Sequence, residues 1–272
     1  MRFGVSTFVT DEGIGPAELG RALEERGFGS LYVAEHTHIP VKRESPWPGG
    51  AELPRWYYRT LDPFVVLTAA AVATERLEVG TGIALVIQRD PIVLAKEVAS
   101  LDRVSGGRAV LGVGAGWNRE EMRNHGTEPR TRMRLLRERV LAVKELWTSE
   151  QAEFHGEFVD FDPVYSYPKP VREPHPPVMI GGAGPTIFDR VLEYGDGWMP
   201  IYGRGTDRLA AKISELRERA GRRVPVTVFG VPGDARVVAE LEEAGADHVL
   251  FTLKTLPEEE TLRELDRLAG LL

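Results

Sequence analysis

The chain of 272 residues contains no cysteine, which excludes disulfides, thiolate nucleophiles and cysteine-ligated zinc or iron–sulfur centres. Any redox chemistry must therefore come from a bound cofactor. An excess of basic residues is also missing: 34 Lys and Arg stand against 41 Asp and Glu, a formal net charge of −7. Nucleic acids and anionic membrane surfaces, which attract clustered Lys and Arg, are not expected partners. The longest apolar run, around Phe64–Ala73, is too short for a bilayer, which takes about 20 residues as a helix. Met1–Thr10 reads as a strand rather than as a leader peptide, so the expected location is the cytoplasm. The six histidines (His36, His38, His125, His155, His175, His248) show no H-E-x-x-H or similar spacing, so no metal site is expected. A G-x-S-x-G nucleophile elbow is absent, which disfavours covalent serine hydrolysis.

What the sequence does contain is a regular alternation of strand and helix patterns. Phe3–Phe8 reads as a strand, and Pro16–Glu25 places Ala17, Leu19 and Leu23 at helical spacing before Gly27 stops the helix. The unit recurs as Leu31–Ala34 with Pro63–Thr74, Leu77–Ile83 with Pro91–Arg103, and Ala109–Val113 with Thr131–Trp147. Val178–Ile180 with Pro185–Tyr194, Trp198–Ile201 with Asp207–Ala220, Val226–Phe229 with Ala235–Ala244, and His248–Thr252 with Glu258–Leu268 complete eight repeats. Strands such as Val110–Val113 and Val249–Phe251 are continuously apolar, as parallel strands covered on both faces must be. An open doubly wound sheet shares the alternation; the count of eight favours a (β/α)8 TIM barrel, read as one α/β domain over residues 1–272.

Two segments interrupt the rhythm. Thr37–Thr60, between the second strand and its helix, is too long for a plain connector and carries Trp47, Trp56, Tyr57 and Tyr58 among four prolines. It reads as a lid over the barrel mouth or as an ordered loop packed by its own aromatics. Residues Ala152–Pro170, after the fourth long helix, alternate like a hairpin insertion, suited to scaffolding or a dimer contact.

Barrel active sites lie at the C-terminal ends of strands. The second strand ends in Glu35-His36, and histidine suits proton transfer near neutral pH, although a surface acid–histidine pair has the same sequence. The third ends in Gly80-Thr81-Gly82-Ile83, where glycine lets a flat ligand approach the backbone. The fourth runs into Gly112-Val113-Gly114-Ala115-Gly116-Trp117-Asn118, in which Trp117 occupies the last glycine position of a dinucleotide fingerprint. With that fingerprint broken, Gly116 and Asn118 read as part of a ring-binding wall. The fifth ends in Gly181-Gly182-Ala183-Gly184-Pro185-Thr186 just before a helix, where free N–H groups and the dipole favour a phosphate; a glycine-rich turn is the plainer alternative.

Six stretches in order resemble the bacterial-luciferase-like superfamily of flavin and deazaflavin oxidoreductases: Val33–His36, Gln88–Glu97, Ser105–Arg108, Gly112–Asn118, Pro177–Gly182 and Gly195–Trp198. Pro46-Trp47-Pro48-Gly49-Gly50 and Trp117–Glu121 look most like actinobacterial members that use coenzyme F420. The resemblance implies a ring across the barrel mouth, held by Thr81, Gly82, Ile83, Gly116 and Asn118, with the phosphate tail near Gly181, Gly182, Ala183, Gly184 and Thr186. It also implies a non-prolyl cis peptide at Gly82–Ile83, and catalytic roles for His36 and Glu35. Sugar-phosphate dehydrogenases of the superfamily have a glutamate where this chain has Trp117, so a more apolar small-molecule substrate is implied. Coenzyme F420 is the expected cofactor, with FMN and two-component monooxygenation as the alternative, and a homodimer is expected. Arg89, Arg43 and Arg55 are candidates for holding an anionic tail. A phosphate-binding aldolase barrel, with Lys254 as its lysine, and a non-catalytic cofactor-binding paralogue are the remaining readings.

Overall fold

The computed structural model describes residues 1–50 and 52–272. Its frame is an eight-stranded parallel sheet curled into a nearly closed barrel, with helices outside it: an α/β TIM-barrel fold. In chain order the first half comprises β1 (Arg2–Thr7), α1 (Pro16–Glu25), β2 (Ser30–Val33), α2 (Trp56–Arg59), α3 (Pro63–Val72), β3 (Glu78–Thr81), α4 (Pro91–Val104) and β4 (Ala109–Val113). The connection that follows contains α5 (Arg119–Asn124) and α6 (Arg132–Thr148), then a two-stranded antiparallel hairpin, β5 (Ala152–His155) and β6 (Asp160–Val164). The barrel resumes with β7 (Val178–Gly181), α7 (Ile187–Tyr194), β8 (Gly197–Met199), α8 (Leu209–Ala220), β9 (Thr227–Val231), α9 (Ala235–Glu243), β10 (His248–Thr252) and α10 (Glu258–Ala269).

Neighbouring strands run β8-β7-β4-β3-β2-β1-β10-β9, and isolated bridges Trp198–Val226 and Ile201–Phe229 join the last strand of that order back to the first. Every strand of the sequence reading is present, two of them (Ala109–Val113 and His248–Thr252) at the expected bounds and the others slightly shifted. β3 stops at Thr81 rather than Ile83, and α7 begins at Ile187 rather than Pro185. The start of the helix after β8 shifts in the same way, from Asp207 to Leu209.

Local chemistry explains the helix starts. Asp62 and Asp90 precede Pro63 and Pro91, and each carboxylate accepts two N–H groups of the first turn. The helices pack their apolar faces on the outside of the strands, around residues such as Leu67, Leu94, Leu146 and Leu216. Inside the barrel sits a smaller apolar stack of Tyr32, Val110, Met179, Met199 and Leu250, topped by Ile83 and Phe229. Below it Tyr32 donates to Glu78 (2.8 Å), Arg2 pairs with Glu78 (3.0 Å), and Ser30 bonds His248 (2.9 Å). The interior is therefore a packed core whose upper surface becomes the floor of the mouth.

The hairpin is gripped by one carboxylate: Glu138 on α6, itself buried, accepts the N–H groups of Glu157, Phe158 and Val159. The insertion 37–60, of which residue 51 lies outside the described residues, is tied down along its length. Arg55 and Arg59 pair with Glu12 and Asp11, Leu61 N–H donates to the Val9 carbonyl (2.9 Å), and Ser45 Oγ accepts the Arg119 N–H (3.1 Å). On the far side Arg204 donates to the Pro48 carbonyl.

Candidate active site

A cavity of about 580 Å³ opens at the C-terminal ends of the strands. Ile83, Phe229 and Met199 form its floor, Phe8, Trp47, Tyr57 and Trp117 its aromatic wall, and Gly181–Gly184 one end. Pockets in which a few polar groups converge on an apolar wall are where small molecules bind.

The floor follows from the strand-end glycines. Gly82–Ile83 is a cis peptide bond, and the Ile83 side chain lies over β4 and β7. A Cβ on Gly114 would stand 2.1 Å from Ile83 Cδ1, and one on Gly181 3.0 Å from Ile83 Cγ2. These two glycines make room for an isoleucine. Gly182 turns the chain away at a φ of +116°, in the region that favours glycine.

His36 leaves the end of β2 almost fully buried, yet its ring belongs to the cavity wall. Nδ1 lies 2.8 Å from Oε2 of Glu121, a fully buried residue of α5. Tyr57 and Trp117 flank the imidazole, with ring centroids 5.0 and 5.8 Å away. Trp47 packs edge-on against Tyr57 in turn, and burial pushes the Tyr57 hydroxyl above its ordinary range. Arg43 lies over the Trp117 ring at 5.3 Å.

Glu35, beside His36 in sequence, has a separate set of partners. It contributes to the wall, but its Oε2 accepts the Leu85 N–H (2.6 Å) and its Oε1 is held by Arg89 (2.7 and 2.8 Å). Arg89 also pairs with Asp62 (2.6 Å) and Glu97 (2.9 Å). Burial lifts the Glu35 carboxyl above its ordinary range and Arg89 opposes that lift; burial by itself would lower the guanidinium, but the three carboxylates outweigh it and hold it raised. With both oxygens engaged, Glu35 knits β2, the segment after β3 and α4 together. Arg89, also a candidate for an anionic ligand, is spent in the same network.

Three other sequence candidates lie off the cavity wall. Thr81 donates its hydroxyl to the Gly112 carbonyl (2.7 Å), Asn118 is the buried N-cap of α5, and Thr186 precedes α7 at the surface. Arg55 is committed to Glu12. Gly82, Ile83, Gly116, Gly181, Gly182, Ala183 and Gly184 do line the cavity.

The sequence reading missed three arginines that share the wall with this glycine segment: Arg132 on α6, Arg190 on α7 and Arg204 after β8. Among the described residues none of them forms an ion pair, and the N–H groups of Ala183, Gly184 and Thr186 find no acceptor. Unpaired guanidiniums beside free N–H groups make a strong anion site. The arginines come from three elements far apart in sequence, so no local motif announces them. Glu121 was missed as well, although Asn118 three residues before it has the spacing of an N-cap with its N3 acid.

A family model described as luciferase-like monooxygenase matches residues 16–260. An uncharacterized protein of Mycobacterium tuberculosis is 40% identical, covering 99% of this chain and 98% of its own length. An FMNH(2)-dependent dimethylsulfone monooxygenase of Pseudomonas putida is 32% identical over 67% of this chain and 50% of its own. An F420-dependent glucose-6-phosphate dehydrogenase of Amycolatopsis mediterranei is 30% identical over 74% and 58%.

Proposed function

Because the chain belongs to the luciferase-like monooxygenase family of oxidoreductases, we propose that it transfers hydride between coenzyme F420 and a small organic substrate, with His36 moving the accompanying proton. The arrangement of the cavity supports this reading. The ring would lie on Ile83 between the Gly114 and Gly181 backbones, and its anionic tail would run to Gly181–Gly184, Arg132, Arg190 and Arg204. When bound, the deazaflavin supplies a carbon that gives or takes hydride; the protein positions the substrate against it and excludes water. The unpaired arginines carry the choice of cofactor. A tail with a phosphate and several carboxylates uses three guanidiniums, whereas the single phosphate of FMN leaves cationic groups unanswered.

The substrate class follows from the wall around His36. Phe8, Trp47, Tyr57 and Trp117 offer stacking faces, and the one carboxylate in the wall among the described residues, that of Glu35, is fully engaged. A neutral, apolar alcohol or carbonyl compound fits better than a sugar phosphate or an amine. The FMN-dependent monooxygenase relative favours the second reading, reduced FMN with oxygen on the same floor. We place the protein in the cytoplasm as a homodimer, for which the exposed apolar residues of α3 and α4 provide a surface.

Equilibrium titration followed by fluorescence tests the cofactor. F420 is expected to bind in the micromolar range or tighter, with affinity falling steeply as salt rises, and Arg190→Ala is expected to weaken it about tenfold, the worth of one charge-assisted bond. Tight FMN binding with no response to F420 would overturn the assignment.

A further inference from the structure

The His36–Glu121 pair contains more than a histidine at a cavity wall. Glu121 is the third helical residue of α5, after the N-cap Asn118, and almost none of its side chain reaches solvent. One carboxylate oxygen meets His36 Nδ1 at 2.8 Å; the other, Oε1, is buried with no partner among the described residues. Among the described residues no arginine or lysine pairs with it, unlike Glu35, which sits one residue before His36 and is held by Arg89 and the Leu85 N–H. The charge of Glu121 is thus committed to a single neighbour, and that neighbour is the imidazole in the cavity wall.

A carboxylate accepts hydrogen bonds and does not donate them, so the bond places a hydrogen on Nδ1. Nε2 is then the ring atom left for the cavity, with a free lone pair whenever the ring is neutral. Tyr57 and Trp117 hold the ring from its sides. A buried acid fixes the tautomer, and a base whose other nitrogen is free faces the substrate. That division of labour recurs wherever histidine serves as a general base with a third group to orient it.

Resting on the hydride-transfer reading above, we propose that Glu121 is the positioning residue of the site: it fixes His36 in the Nδ1–H form and balances the charge that develops when Nε2 takes a proton. In the oxidising direction the substrate O–H bond breaks and its proton moves to Nε2. The adjacent C–H bond breaks and its hydrogen leaves with the electron pair to the oxidised deazaflavin, while the C=O bond forms. The alcohol is oxidised by two electrons, the cofactor is reduced by two, and the imidazole becomes imidazolium beside the Glu121 carboxylate. Reduction of a carbonyl runs the same transfers backwards.

Two measurements test this. In cofactor-free, nitrogen-15-labelled protein, at a pH where the ring is neutral, the His36 ring is expected to show a protonated Nδ1 with a downfield, hydrogen-bonded proton and a bare Nε2. The Nε2–H form would overturn the proposal. In the loaded enzyme, Glu121→Gln keeps shape and volume but removes the charge, and is expected to lower kcat about 100-fold or more, within the range general acid–base catalysis supplies. Cofactor Kd should stay within about twofold, since no cofactor contact is touched, and Glu121→Asp should recover part of the rate. Undiminished kcat in Glu121→Gln would also overturn the assignment. Absence of turnover in the unmodified protein with any deazaflavin would instead remove the hydride-transfer reading, and the nitrogen spectrum would still decide whether Glu121 fixes the ring.

Discussion

Gly114 has no room for a side chain because Ile83 lies against it: an added Cβ would come within 2.1 Å of Ile83 Cδ1. The contact joins the end of β4 to the floor of the cavity, and it makes the floor sensitive to one methyl group. In Gly114→Ala the obstructing atom is the tip of a flexible side chain, so Ile83 can swing aside and the barrel should survive. The floor, however, is displaced. We expect Tm to fall by a few degrees, in keeping with a ~1–2 kcal/mol overpacking cost in a large domain, and cofactor Kd to rise at least tenfold. At Gly112 the same methyl would meet the Thr81 carbonyl oxygen at 2.0 Å, and backbone cannot swing away; Gly112→Ala should not yield folded protein. Equal behaviour of the two variants in thermal melts and cofactor titration would show that the floor does not depend on this packing.

Arg89 pairs with the buried Glu35 and also with Asp62 and Glu97, which lie on or beside α3 and α4. Removing the guanidinium leaves a buried carboxylate with one N–H partner, a loss of about 3–5 kcal/mol by analogy with broken buried pairs. Arg89→Met should therefore lower the free energy of unfolding by about that amount, measured by urea denaturation. Glu35→Gln, which keeps an acceptor for Leu85 N–H, should cost less and leave kcat per folded molecule within about threefold. A loss of kcat in Glu35→Gln as deep as that in His36→Ala would return Glu35 to the chemistry.

The barrel was legible because its signals are local and repeated. Continuous apolar strands, proline at the head of the helices Pro63–Thr74 and Pro91–Arg103, and the eightfold count need only neighbours in sequence. The short helices were not: Trp56–Arg59 and Arg119–Asn124 span too few turns for an apolar period to appear. The site divides in the same way. His36 and the glycine segment stand out by position at strand ends. Glu121 lies 85 residues from its partner, and Arg132, Arg190 and Arg204 converge only when α6, α7 and the segment after β8 are brought round the same mouth. Glu35 stands next to His36 in sequence, yet in space the two side chains have different partners.

The exposed apolar side chains of α3 and α4 bear on assembly. Val65 and Val72 on α3, with Val93 and Val104 on α4, are each at least half exposed. Large apolar side chains left exposed on two neighbouring helices are candidates for a covered surface. If a second copy covers it, Val65→Glu combined with Val93→Glu should convert the dimer to a monomer in light scattering, without disturbing the helices, because both positions already face outward. A native protein that is monomeric at micromolar concentration would remove this face as a dimer contact.

His248 sets an acid limit to stability. The residue is buried beneath the barrel interior, bonded to Ser30 Oγ at 2.9 Å and close to Arg2. Burial, reinforced by the Arg2 charge, pushes its imidazole down to about 4. The unfolded chain, with an ordinary value near 6.5, binds the extra proton first, so between those pH values stability falls as pH falls. A gap of that size corresponds to about 3 kcal/mol, present in full above pH ~6.5 and gone below pH ~4. His125, also lowered by burial, acts in the same sense, whereas Glu35 and Glu97, raised by burial, act in the opposite one. The His248 contribution is therefore read as a difference. Urea unfolding of the native protein and of His248→Gln at pH 7 and pH 5 should show the variant losing less stability over that interval, by about 2 kcal/mol. Equal losses would mean that the imidazole takes up its proton without leaving the fold.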